Sequence, residues 1–84
     1  MSAHLRKRTL ILSGHDTSVA LEPEFWDVLD DIAADNRQSV PVLVATIDAK
    51  RTPPQSLASA LRVHALTTVI SRHASQTALQ ENSP

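Results

Sequence analysis

Four histidines and a run of aspartates are the residues of this chain with the widest chemical reach. His4, His15, His64 and His73 could ligate a metal or carry protons. His64 and His73 sit on one predicted helix nine positions apart, which sets them about 180° from each other around its axis. One chain cannot close a site with both. No His-x-x-Glu-His spacing occurs and the chain has no cysteine, so thiolate ligation and disulfides are excluded. Asp27, Asp31 and Asp35 repeat at i, i+4, i+8, a ladder of like charge suited to water or to a basic partner. No signature of a nucleophilic triad, a phosphate loop or a dinucleotide fold is present. The expectation is a protein that is not an enzyme and needs no metal and no cofactor.

The remaining polar groups gain meaning from the elements that carry them. Thr17 to Trp26, reading TSVALEPEFW, alternates and then breaks. Thr17, Val19 and Leu21 can face one way and Ser18 and Ala20 the other, the period-2 pattern of a strand with one buried face. Pro23 cannot donate to a ladder but suits a first helical turn, so Glu22-Pro23 reads as strand stop and helix start. One strand beside one helix is too little sheet to stand alone. A partner strand is required. Thr9 to Leu12 is β-prone, and Ser13-Gly14-His15-Asp16 between them holds the only glycine, a turn or bulge signal. The residues leave two options open: a hairpin of 9–12 with 17–21, or a pairing of 17–21 with another chain.

Three helices follow. The first runs from about Pro23 to Asn36, with Phe25, Val28, Leu29 and Ile32 as one apolar stripe and Trp26 beside it as a packing anchor. The second opens on Ser39 as N-cap, ends near Lys50, and buries Val40, Leu43, Val44 and Ile47. Thr52-Pro53-Pro54-Gln55 is a stiff break, after which Ser56 caps a third helix reaching Arg72 or His73. Residues 1–8 read as a mobile basic arm, 9–73 as one domain, and 74–84 as a flexible tail.

Eighty-four residues with one Phe, one Trp and no Tyr make a small domain with an aliphatic core, a size that often leans on oligomerisation. No apolar run approaches the roughly 20 residues of a membrane span, and a cytoplasmic location is expected. The net charge of −1 hides a split: Arg6, Lys7 and Arg8 make the start basic, while residues 22–35 hold acids and no Lys or Arg. A uniformly basic nucleic-acid coat is excluded, but a local basic surface is not.

The order strand, helix, capped turn, helix resembles the ribbon-helix-helix family of DNA-binding proteins. GHDTSVALEPEFWDVLDDIAAD, SVPVLVATIDAKR and SLASALRVHAL resemble a bacterial branch with an added C-terminal helix, a likeness that covers roughly residues 6–72. The resemblance implies a mostly α fold with a short β-ribbon. Two chains would intertwine as a homodimer, each giving one strand to an intermolecular antiparallel ribbon, with a third helix added. Thr17, Val19, Leu21, Phe25, Trp26, Leu29, Leu43 and Ile47 would then form the dimer core. Asp16, Ser18 and Ala20 would face base edges in the major groove. Arg6, Lys7, Arg8 and the first turn of helix two, Ser39 and Val40, would hold phosphates. Implied partners are a second copy of the chain, double-stranded DNA, and a second protein docking on the C-terminal helix.

Three residues depart from the family pattern. Asp16 stands where relatives carry a basic or amide side chain and would repel phosphates; Ala20 offers no hydrogen bond; Pro41 removes an N–H from the phosphate-binding turn. They motivate a rival reading, a dimeric antitoxin-like protein-interaction module with weak or no DNA binding. A third is a monomer of one hairpin and three helices.

Overall fold

The computed structural model describes residues 4–81, and the side chains of 4–76. Its elements are β1 (Arg6–Leu12), β2 (His15–Leu21), α1 (Pro23–Asp35), α2 (Val40–Lys50) and α3 (Leu57–Glu81). β1 and β2 pair antiparallel along their full lengths, from Arg6 opposite Leu21 to Leu12 opposite His15. The residues left open where the partner of 17–21 lies, and the resemblance placed it in a second chain; in the structure the strand paired with 17–21 is β1 of the same chain, closed by a tight turn. Ser13 (φ 52°) and Gly14 (φ 80°) join the strands. Positive φ at both central residues is the two-residue turn whose twist suits a hairpin.

Pairing sorts the side chains. Leu10, Leu12, Val19 and Leu21 are buried against the helices. The opposite face carries Lys7, Thr9 and Ile11 from β1 beside Asp16, Ser18 and Ala20 from β2. The helices close the core beneath. Pro23 enters α1 at its start, and Trp26, Leu29, Ile32 and Ala33 turn inward. Ser39 caps α2 as expected, its Oγ accepting from the Val42 N–H at 3.4 Å, and Leu43, Val44 and Ile47 are buried. Ser56 caps α3 in the same way through the Ser59 N–H at 3.1 Å, and α3 contributes Ala60, Leu61 and Ala65 to the core.

Two boundaries differ from the expectation. The sequence assigns 1–8 to a mobile arm, yet Arg6, Lys7 and Arg8 form the first half of β1; Met1 to Ala3 lie outside the described residues. Strand pairing satisfies their backbone, and Trp26 Nε1 donates to the Arg6 carbonyl at 2.7 Å. The expected flexible tail from 74 is instead helical to Glu81, with 82–84 outside the described residues. Ala74–Glu81 contains no Gly or Pro and is rich in good helix formers, which extend a helix that packing has already nucleated.

The residues expected in a core shared between two chains pack here within one. Val19, Leu21, Trp26, Leu29, Leu43 and Ile47 are buried, and Thr17 and Phe25 half-buried. The added helix contributes Ala60, Leu61 and Ala65 to that packing.

Candidate nucleic-acid interface

The outward sheet face is built from three cross-strand pairs: Lys7 with Ala20, Thr9 with Ser18, and Ile11 with Asp16. In a two-residue hairpin the pair flanking the turn exchanges hydrogen bonds, and bonded and non-bonded pairs alternate from there. The outward pairs are therefore the non-bonded ones, whose side chains stand closest. Thr9 Oγ1 and Ser18 Oγ accordingly lie 3.0 Å apart. Ile11 is 68% exposed although β-branched and apolar. The face thus runs from an ammonium at Lys7, through two hydroxyls, to a methyl-rich side chain beside the Asp16 carboxylate.

The three basic residues at the start of the chain part company. Lys7 projects from the outward face and has no ion pair among the described residues. Arg8 points the other way. Its Nη1 and Nη2 grip Asp30 Oδ1 and Oδ2 at 2.8 and 3.1 Å, and its guanidinium lies 4.6 Å from the centre of the Trp26 ring. The hydrogen bond from Arg8 holds the Asp30 carboxyl below its ordinary range, and Asp30 in turn raises the Arg8 guanidinium. Of the expected phosphate-binding residues, Arg8 is therefore engaged in clamping β1 to α1. Arg6 shares its face but remains exposed.

The start of α2 presents exposed Ser39, then half-buried Val40 and Pro41. Pro41 withholds one N–H and the Ser39 hydroxyl already accepts from the Val42 N–H, so fewer groups are free here than a helix start usually offers. At the far end of α2, Arg51 Nε binds Asp48 at 2.9 Å and its Nη1 donates to the Gln55 carbonyl at 2.8 Å. Arg51 thus ties the α2–α3 connection.

The expected acid face of α1 is realised by exposed Asp27, Asp31 and Asp35, with Arg72 Nη2 of α3 2.7 Å from Asp35. Glu22 at the strand–helix junction binds Arg62 Nε at 2.9 Å, which lowers its carboxyl. Both pairs fasten α3 to the rest of the fold. They were missed in the sequence because the partners lie 37 and 40 positions apart, beyond any local spacing rule. His64 is half-buried beside a groove of about 430 Å³ between α2 and α3; burial, then the nearby Lys50, lowers its imidazole from the usual range.

A family model for the ribbon-helix-helix domain matches residues 5–69, and the chain belongs to that family, a family of DNA-binding regulators in general. Among solved structures it is similar to an uncharacterized protein from Bordetella pertussis Tohama I, at 31% identity and a TM-score of 0.73 over 88% of this chain. The chain spans 62% of that protein. No curated protein matches it. Among the described residues no helix is long and apolar enough to cross a membrane.

Proposed function

We propose that this protein is a homodimeric, sequence-specific double-stranded DNA-binding regulator of the bacterial cytoplasm that reads with its sheet. The observation that carries this reading is the outward face, where Lys7, Thr9, Ser18, Ile11 and Asp16 project on the side opposite the core. Packing within the protomer gives no reason to expose Ile11 and a hydroxyl pair on one surface. Base edges supply a reason, since hydroxyls can donate or accept and methyls match the thymine C5-methyl. Lys7 and Arg6 add phosphate attraction, and the start of α2 adds backbone N–H groups. Ribbon-helix-helix proteins generally act as dimers on DNA, and a second copy would double the reading surface.

Asp16 and Pro41 support the rival reading, a dimeric protein-interaction module in the manner of an antitoxin. The exposed Leu66, Val69 and Ile70 of α3 give such a partner an apolar surface. Replacing Asp16 with Arg separates the two. A DNA reader gains affinity when a carboxylate leaves the groove face; a protein-interaction module shows weak duplex binding before and after.

A further inference from the structure

We infer that the groove between α2 and α3 is a binding site for a small organic anion, whose charged end meets Lys50 and His64 and whose apolar body lies along the two helices. The inference goes beyond the DNA-binding reading and does not rest on it.

Three observations support it. The first is shape. The groove measures about 430 Å³, within the roughly 300–1,000 Å³ of small-molecule sites. Leu43 and Ile47 of α2 and Ala60 and Val63 of α3 give it apolar walls. The second is unused bonding capacity. The side chains of Asn36, Gln38, Lys50, Gln55 and His64 line the groove. Among the described residues none of these side chains has a hydrogen bond or an ion pair. Polar groups that converge over apolar walls without a partner in the protein are what orients a bound small molecule.

The third is the sign of the charge. Lys50 and Arg51 are cations of the lining, and no Asp or Glu belongs to it, although acids crowd residues 22–35. Arg51 is committed to Asp48 and to the Gln55 carbonyl, so Lys50 supplies the free charge. Burial, and then the nearby Lys50, hold the His64 imidazole below its ordinary range. An anion seated between Lys50 and His64 gives both a partner and offsets that repulsion. His64 then takes up a proton as the ligand binds. Affinity therefore rises as pH falls through the His64 range, and levels off below it. Of the other charges near α3, Arg51 is paired as above and the Asp35–Arg72 pair lies about two turns further along the helix. The end of α1 brings only the neutral Asn36 into the lining.

The test follows full-length, isotope-labelled protein by NMR with no DNA present, reading the His64 imidazole and the Ala60 and Val63 amides. Benzoate and phenyl phosphate are the probes; benzylamine and benzyl alcohol, built on the same ring, are the controls. An anion site predicts that both probes bind at least about tenfold more tightly than either control. Benzoate should also raise the pH midpoint of the His64 imidazole, which a merely structural groove would not do. Lys50→Gln, at an exposed position, should melt close to the wild type and lose about tenfold in benzoate affinity, the scale of a lost hydrogen bond to a charged group. Controls that bind as well as the anions, or an unchanged benzoate affinity in Lys50→Gln, would overturn the assignment. So would the absence of any shift at these residues with millimolar probe. Every readout is taken without a duplex, so the failure of this site and the failure of the DNA reading are separately visible.

Discussion

At the scale of single residues, position on the strand divides two neighbouring cations into different roles. Arg8 is held by Asp30 and stacked on Trp26, whereas Lys7 faces out. Arg8→Ala should therefore cost stability, about 1 kcal/mol for a part-exposed fork with an aromatic stack, and leave the salt slope of DNA binding unchanged. Lys7→Ala should do the reverse, leaving denaturant midpoints alone and lowering the salt slope by about one. Chemical unfolding and anisotropy at several salt concentrations check both. Asp30 also sets a pH dependence. Its folded-state carboxyl is lowered, chiefly by the hydrogen bond from Arg8. The stability it contributes is thus full above the ordinary carboxylate range and is lost as pH falls below about 4 toward its folded value. Asp30→Asn should be less stable near neutrality and show a shallower loss in acid, as measured by denaturation across pH.

At the scale of elements, the hairpin turn is the point most exposed to substitution. Gly14 has φ 80° with open space around a would-be Cβ, so Gly14→Ala meets no clash but does meet the left-handed backbone penalty of about 1 kcal/mol or more. Ser13 shares positive φ, and Ser13→Asn, the residue such turns favour, should raise the melting temperature. Opposite shifts in the two variants, read by calorimetry, would establish the turn geometry.

These elements also mark what could be read in advance. The alternation of Thr17–Leu21, the proline at the strand–helix junction and the serine caps at 39 and 56 are local signals, and the structure follows each of them. The outward placement of Ser18 and Ala20 followed from the same alternation, and that of Asp16 from the family resemblance. Lys7, Thr9 and Ile11 did not emerge as their neighbours, because a basic opening followed by four apolar-leaning residues has no clear period. What makes Arg6–Arg8 strand is distant: Asp30, Trp26 and β2. The helical end of α3 was hidden for the opposite reason, since its residues form no apolar stripe and the helix continues on propensity alone.

At the scale of the whole molecule, the added helix changes what one chain can do by itself. Leu61 is fully buried, with Ala60 and Ala65 beside it, and the Glu22–Arg62 and Asp35–Arg72 pairs fasten α3 along α1. Leu61→Ala should cost about 2–5 kcal/mol and, in a domain this small, leave much of the population unfolded at physiological temperature. A chain ending after His73 should keep its fold, because the described anchoring of α3 ends at Arg72; circular dichroism melts compare the two. The chain presents the outward hairpin face on one side and the exposed Leu66, Val69 and Ile70 on another.

The most direct measurement is fluorescence anisotropy of full-length protein with two labelled duplexes, one from the DNA upstream of its own gene and one of scrambled sequence, across a salt series. A regulator that reads sequence through its sheet should bind the first more tightly, with log affinity falling linearly with log salt as a few Lys and Arg displace counterions. Equal and weak binding of both duplexes at every salt concentration would contradict that role and turn attention to a protein partner.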